Sequence, residues 1–293
     1  MRPILFRLPG LGLPIFGYGL MLFFAFLGSM NLTAWRARRE KLDPEVIYDL
    51  ALWVFLGGLV GARLLYVWQY WNVRVKTLWD VFKIWEGGIV FYGSILGGAI
   101  ATLLYWRVRR FPLRPVMDAI APSLALGIAL GRIGCFLNGC CFGDQCDPRF
   151  PLGVRFPAHS SPWADQVHSG AIAQDAAWSL PVHPTQLYSA LDGLILLALL
   201  SAYYPLRRRD GEVIGLLMVT YPITRFLVEG LRNDEGAFFA GLTISQNISI
   251  ALFLGGLAFW YGLSRMPAER FADTARPEGD LGTSARDAAS LAS

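Results

Sequence analysis

The chain has 293 residues, of which 54% are hydrophobic and only 16% charged, too apolar for an ordinary soluble domain of this length. Its net charge of +4 sits in short basic clusters beside apolar segments, not along one aromatic-interleaved face, which excludes a nucleic-acid surface. The sequence reads as an integral membrane protein.

A spanning helix needs about twenty predominantly apolar residues. Windows at roughly 14–34, 47–70, 89–106, 116–137, 185–204, 212–230 and 245–263 meet that need and predict an all-α polytopic fold with about seven transmembrane helices. The basic clusters set the orientation. Arg36, Arg38, Arg39 and Lys41 follow the first span, Arg107, Arg109, Arg110 and Arg114 the third, and Arg207, Arg208 and Arg209 the fifth. Those loops are expected in the cytoplasm, with the N-terminus outside and the C-terminus inside. A secretory signal peptide is the competing reading of the first thirty residues. However, the apolar run holds Pro14, Gly17 and Gly19, and it ends at Gly28-Ser29-Met30-Asn31 without a small-x-small cleavage site. A retained first helix is expected.

Tyr18 lies near the outer end of the first span, where a tyrosine often serves as an interfacial anchor. The second span carries Gly57-Gly58 and Gly61-Ala62-Arg63, a small-residue face suited to tight helix packing with a charge placed on it. Arg63 should face protein or a polar cavity, either as a functional group or as a carbonyl or ion-pair contact that holds helices together. Trp68, Tyr70, Trp71, Trp79, Phe82 and Trp85 then alternate with charges, as in an aromatic belt with an amphipathic piece on the outer surface. The third span opens at Glu86-Gly87-Gly88-Ile89-Val90-Phe91-Tyr92-Gly93-Ser94, and its glycine density suggests a broken or cavity-lining helix.

The fourth span ends in Gly131-Arg132-Ile133-Gly134-Cys135-Phe136-Leu137-Asn138-Gly139-Cys140-Cys141-Phe142-Gly143. A guanidinium at membrane depth is expensive and is usually kept for a job, so this stretch reads as a membrane-embedded anion site. The long polar loop 144–183 holds all three histidines, His159, His168 and His183, and should form a small periplasmic head. Pro184 suits the first turn of the fifth helix, and His183 before it serves either as cap and anchor or in catalysis. The sixth span closes with Tyr221, Arg225, Glu229 and Arg232, which a helical repeat places on one face. Three ionisable groups on one stripe exceed what an internal ion pair requires and point to function. Residues 265–293 have a single aromatic among Ala, Ser, Arg, Asp and Glu, and are expected to be a disordered cytoplasmic tail behind a catalytic domain of residues 1–264.

Cys135, Cys140, Cys141 and Cys146 are the chain's only cysteines. They lack the paired C-x₂-C spacing of a zinc ribbon or finger, and no metal is expected. On the oxidising side of the membrane, one or two disulfides stapling the turn are the expectation.

The arginine-glycine stretch from Gly131 to Gly143 resembles the signature of the bacterial prolipoprotein diacylglyceryl transferases. Tyr18-Gly19-Leu20, Gly61-Ala62-Arg63-Leu64-Leu65-Tyr66, Gly87-Gly88 with Phe91-Tyr92-Gly93, and His183-Pro184-Thr185-Gln186-Leu187-Tyr188 are similar to family segments in the same order, as are Tyr221, Arg225, Glu229 and Arg232. The resemblance implies an inner-membrane enzyme that moves the diacylglyceryl group of phosphatidylglycerol to the lipobox cysteine of a prolipoprotein, releasing glycerol phosphate and needing no cofactor. It implies catalytic roles for Arg132, Arg225 and Tyr92, and substrate binding by Arg132, Tyr18, Arg63, Gly93, Asn138, Gly143, Tyr221, Glu229 and Arg232. Three positions depart from the pattern: Tyr92 stands where many members have a histidine, Cys135 where an asparagine is common, and Cys140 where a glutamate is common. A paralogue with another acceptor is the neighbouring reading. A transporter or non-enzymatic lipid-binding membrane protein is the alternative from a different class, since broken glycine-rich helices with arginines near mid-membrane also suit transport.

Overall fold

The computed structural model describes residues 4–7, 12, 14–71, 73–75, 77–83, 87–232, 236 and 238–274. Two short strands, β1 (Ile4–Arg7) and β2 (Pro14–Phe16), pair antiparallel before the first helix. The helices are α1 (Gly17–Arg39), α2 (Pro44–Gln69), α3 (Phe91–Arg109), α4 (Leu113–Asn138), α5 (Ser161–His168), α6 (Thr185–Tyr203), α7 (Glu212–Glu229), α8 (Ile244–Ser264) and the single turn α9 (Phe271–Thr274). A 3₁₀ turn, Tyr204–Leu206, extends α6.

Among the described residues, five helical segments are long and apolar enough to cross a membrane: Gly17–Arg39, Pro44–Gln69, Leu113–Asn138, Thr185–Leu206 and Ile244–Ser264. Only 17% to 33% of each apolar window is buried within the protein, so most of that surface faces outward, as lipid-facing side chains do. The remaining long helices, α3 and α7, coincide with the third and sixth sequence windows. α7 carries Glu212, Arg225 and Glu229 within its 18 residues. The fold is therefore that of a polytopic all-α membrane protein.

Helix boundaries follow from local chemistry. Asp43 caps α2 by accepting from Glu45 N at 2.9 Å, with Pro44 in the first turn. Thr243 and Gln246 form a reciprocal capping box on α8. Gly139 ends α4 at φ 80°, a left-handed conformation that glycine adopts without steric cost. The start of α7 is capped from another helix: buried Asp118 of α4 accepts from Gly211 N at 2.7 Å and Ile214 N at 2.9 Å.

Close backbone approach locks α2 to α3. A Cβ on Gly57 would lie 2.6 Å from Ala101 Cβ and 2.8 Å from the Gly97 carbonyl, while a Cβ on Gly61 or Gly97 would overlap the facing backbone. The small residues seen in the second and third windows are thus the two halves of one seam. Two apolar cores lie among the helices. One gathers Ala34, Ala37, Ile47, Leu50, Tyr105, Phe111 and Val116, and the other Ala121, Ala125, Leu196, Leu200, Val213 and Leu217.

Beyond α8 the chain folds back. Arg209 Nε donates to Met266 O at 2.9 Å, Phe271 N donates to Asp210 at 2.6 Å, and Lys41 Nζ donates to Ala272 O at 3.0 Å. The rest of the expected tail, residues 275–293, lies outside the described residues, as do Glu86 and Trp85.

Candidate active site

The end of α4, the loop that follows it, the start of α6, the end of α7 and the starts of α3 and α8 supply one contiguous set of polar groups. On α7, Arg225 pairs with Glu229 through Nη1 and donates from Nη2 to Ser245 Oγ at 2.9 Å. Tyr92, in the first turn of α3, brings its hydroxyl within 3.4 Å of the same Ser245 oxygen. Arg232 follows just beyond the helix, with Nε 4.0 Å from Glu229. Glu229 is almost wholly buried, and its Oε1 has no hydrogen-bond partner among the described residues.

Arg232 also lies within electrostatic reach of Cys141, and so does Arg132 from α4. Tyr18 shares the neighbourhood of Arg132, Cys135, Cys140 and Cys141, and a Cβ placed on Gly134 would lie 3.2 Å from its ring. The exposed Asn138 faces the Cys140 thiol. Arg132, half-buried, makes no hydrogen bond or ion pair with a described residue. A guanidinium with five donors and no hydrogen-bond partner among the described residues is suited to an anionic oxygen pair.

The loop after α4 is held rigidly. Gly139 N and Cys140 N both donate to the Cys135 carbonyl, at 2.8 and 3.2 Å. Thr185 Oγ1 donates to Cys141 O at 2.8 Å, and Gln186 Nε2 to Cys140 O at 2.9 Å. Cys141 takes φ 60°, a strained conformation for a residue with a Cβ, and these two bonds pin it there. Gly143 N donates to His183 O and Asp144 N to Leu231 O, both at 2.9 Å. A Cβ on Gly143 would meet Leu231 O and Thr185 Cγ2 at 2.7 Å, so only glycine lets the loop close on α6 and α7.

Cys135, Cys140 and Cys141 converge, with their sulfurs all within 4.8 Å of one another. Hydrogen bonds from the Cys135 and Cys140 thiols, with help from Arg132 and Arg232, hold the Cys141 thiol well below the ordinary thiol range. All four cysteines are free, where the sequence suggested one or two disulfides. The fourth has gone elsewhere: buried Cys146 lies where a Cβ on Gly153 would meet its Sγ at 2.9 Å, and it donates its backbone N–H to Pro181 O.

Other expected site residues take different places. Arg63 gives its guanidinium to backbone carbonyls, with Nε to Val81 O at 2.8 Å, Nη1 to Gly87 O and Gly88 O at 2.7 and 2.9 Å, and Nη2 to Asp80 O. It fastens the segment that leads into Tyr92. Tyr221 packs against the core between α4, α6 and α7. Gly93 belongs to the α2–α3 seam, where a Cβ would lie 2.8 Å from Leu65 Cβ. His183 acts through its backbone, exchanging bonds with Gly143 and Asp144, while its ring meets Phe150 and Tyr188.

Sequence reasoning missed Ser245, which bridges Tyr92 and Arg225. In the sequence it is one more small polar residue in a helix's first turn, indistinguishable from a capping residue. Thr185 and Gln186 lay inside a quoted motif, yet their action on the Cys140 and Cys141 carbonyls has no local signal.

A family model described as prolipoprotein diacylglyceryl transferase matches residues 3–262. The chain is 33% identical to the phosphatidylglycerol--prolipoprotein diacylglyceryl transferase of Clostridium tetani over 268 residues, 90% of this chain and 98% of that protein. It is 36% identical to the similarly named protein of Synechococcus elongatus over 85% of this chain and 84% of that one. For Legionella pneumophila (strain Corby) the identity is 35%, over 85% of this chain and 93% of the relative. With its arginines gathered about one glycine-rich turn and a family match running from the first strand to the last long helix, the chain belongs to the prolipoprotein diacylglyceryl transferase family.

Proposed function

We propose that the protein transfers the diacylglyceryl group of phosphatidylglycerol to the lipobox cysteine of a prolipoprotein, forming a thioether and releasing glycerol phosphate. The observation that carries this reading is the unpaired Arg132 set against the Arg225–Glu229–Arg232 cluster. The reaction expels a phosphate ester, and preorganised cations stabilise the charge that develops on it. Arg132 forks onto the phosphate, and Arg225 and Arg232 supply positive charge on the other side. The buried, unpartnered Glu229 Oε1 accepts from a hydroxyl of the lipid headgroup. Tyr92, held by Ser245, orients the acceptor thiol, and Tyr18 and Asn138 line the approach. Arg63, Gly93, Gly143 and Tyr221 position these groups.

The same reading places the enzyme in a bacterial inner membrane with seven spans, the N-terminus and the 144–183 head in the periplasm, and the C-terminal segment in the cytoplasm. The test incubates purified protein with phosphatidylglycerol and a lipobox peptide, and follows peptide mass. A diacylglyceryl thioether on the cysteine is expected. An unchanged peptide, with lipid and protein intact, overturns the assignment.

A further inference from the structure

The three converged thiols are the cluster that the polar chemistry above leaves unused. We propose that Cys135, Cys140 and Cys141 form a three-thiolate site for a thiophilic divalent cation of the zinc class, whose open fourth position takes the acceptor thiol. The proposal rests on the transfer reaction proposed above.

The spacing of these cysteines resembles no ribbon or finger, and the fold explains how they nevertheless meet. The last turn of α4 presents Cys135, Gly139 reverses the chain, and the left-handed Cys141 swings its side chain back beside its neighbour. Zinc–thiolate bonds of about 2.3 Å put tetrahedral sulfurs about 3.8 Å apart. Sulfurs already within 4.8 Å therefore need to close by only about 1 Å. The strained Cys141 backbone is not an accident of a loose loop, because Thr185 and Gln186 hold the carbonyls on either side of its N–Cα bond. Strain that the surroundings over-determine is characteristic of functional sites.

Charge and coordination number agree with a reactive site. Three thiolates around a divalent cation carry one net negative charge, and Arg132 and Arg232 stand close to offset it. No fourth His, Cys, Asp or Glu joins the group among the described residues. Structural zinc sites are closed by four protein ligands, whereas sites that handle a substrate keep one position open. A thiol entering that position loses its proton to solvent and coordinates as thiolate. Its sulfur lone pair then attacks the glycerol carbon that bears the phosphate ester. The C–S bond forms as the C–O bond breaks, and the bonding pair leaves on the phosphate oxygen beside Arg132. The cation thus deprotonates the acceptor thiol at a site where the chain offers no histidine in the first turn of α3.

The test uses the purified full-length enzyme, first stripped of metal and then titrated with Zn²⁺ or, as a spectroscopic probe, Co²⁺. One cation per chain is expected, with the thiolate-to-cobalt charge-transfer absorption of three sulfurs. The Cys135→Ser/Cys140→Ser/Cys141→Ser variant, checked for folding by its thermal unfolding, should lose that absorption, whereas Cys146→Ser should retain it. Adding a lipobox cysteine peptide should raise the absorption by a further thiolate, and the serine version of the peptide should not. Removing the cation should slow transfer about thirtyfold at neutral pH, since a free thiol of pKa near 8.5 is only a few per cent ionised there. Failure to bind Co²⁺ through sulfur, or a Cys135–Cys140 or Cys140–Cys141 disulfide in place of the cation, overturns the proposal and leaves the transfer reaction standing. Sulfur-bound Co²⁺ that ignores the cysteine peptide also overturns it. Thiol-dependent absorption without any diacylglyceryl transfer supports the site and overturns the function instead.

Discussion

Arg132 and Arg225 are both arginines in the site, but their surroundings predict different behaviour on substitution. Arg132 has no hydrogen-bond or ion-pair partner among the described residues, so its fork is available to substrate, and the charge alone cannot reproduce two parallel hydrogen bonds. Arg132→Lys should therefore be nearly as damaging as Arg132→Ala, each lowering transfer by about 10²–10³ with the thermal midpoint little changed. A fully active Arg132→Lys enzyme would remove the fork from the mechanism. Arg225 is tied to Glu229 and Ser245, so Arg225→Ala strands a buried carboxylate and should cost stability as well as rate. Tyr92→Phe removes only the hydroxyl that reaches Ser245. If that hydroxyl orients the thiol, the variant should bind lipid normally and turn over more slowly, and Ser245→Ala should reproduce most of the loss.

How much of the site could be read from sequence depends on where each partner comes from. Arg132, Arg225, Glu229 and Arg232 were visible because charge inside an apolar segment is unusual whatever the fold. Ser245, Thr185 and Gln186 were not, because a neutral polar residue near a helix start has an ordinary local explanation. Arg63 shows the reverse difficulty. Its intramembrane charge was plain, but only the fold reveals that backbone carbonyls between Asp80 and Gly88 occupy its donors. The cysteines illustrate it again: spacing argued against a metal site, and one left-handed residue helps bring three of the thiols together.

At the level of helices, the α2–α3 seam and the cap on α7 hold the site's supports in place. α3 brings Tyr92 to Ser245, and it approaches α2 closely enough that side chains at Gly57, Gly61 and Gly97 have no room. Gly97→Leu should push the helices apart, cost about 1–3 kcal/mol by overpacking, and lower activity by withdrawing Tyr92. Thermal unfolding in detergent checks the first effect and turnover the second. On α7, Asp118 satisfies two of the N–H groups that a helix start leaves open, and it lies 3.6 Å from the buried Arg207. Asp118→Ala uncaps the helix and leaves Arg207 with less counter-charge, so a loss of about 3 kcal/mol or more is expected. The helix positions were legible because apolar length is a strong signal. The cap was not, because its two partners are more than ninety residues apart in sequence.

Across the whole molecule, one end is held together by charge. Arg207, after α6, pairs with Glu40 at the end of α1 at 2.6 Å and approaches Asp118 near the start of α4 and Asp210 before α7. Arg36 donates to Ser201 and lies over the Tyr204 ring, while the Phe271 turn closes on Asp210. The loops after α1, α3 and α6, each rich in arginine, therefore share one end of the bundle with the segment that follows α8. Short loops rich in Lys and Arg stay in the cytoplasm, so the proposed orientation puts this shared end there and the cysteine-rich turn at the other end of α4 in the periplasm. Reporter fusions at Arg39, Arg110, Arg208 and Thr274 should all report the cytoplasm, and a fusion within the 144–183 loop should report the periplasm. The fusion at Arg110 is the decisive one, because it tests whether α3 crosses despite its glycines and its short length of 19 residues. An external Arg110 with a cytoplasmic Arg208 would require α3 to turn back within the membrane. The Arg207–Glu40–Asp118 contacts, which need the end of α1, the start of α4 and the end of α6 on the same side, would then be incompatible with the fold in the bilayer.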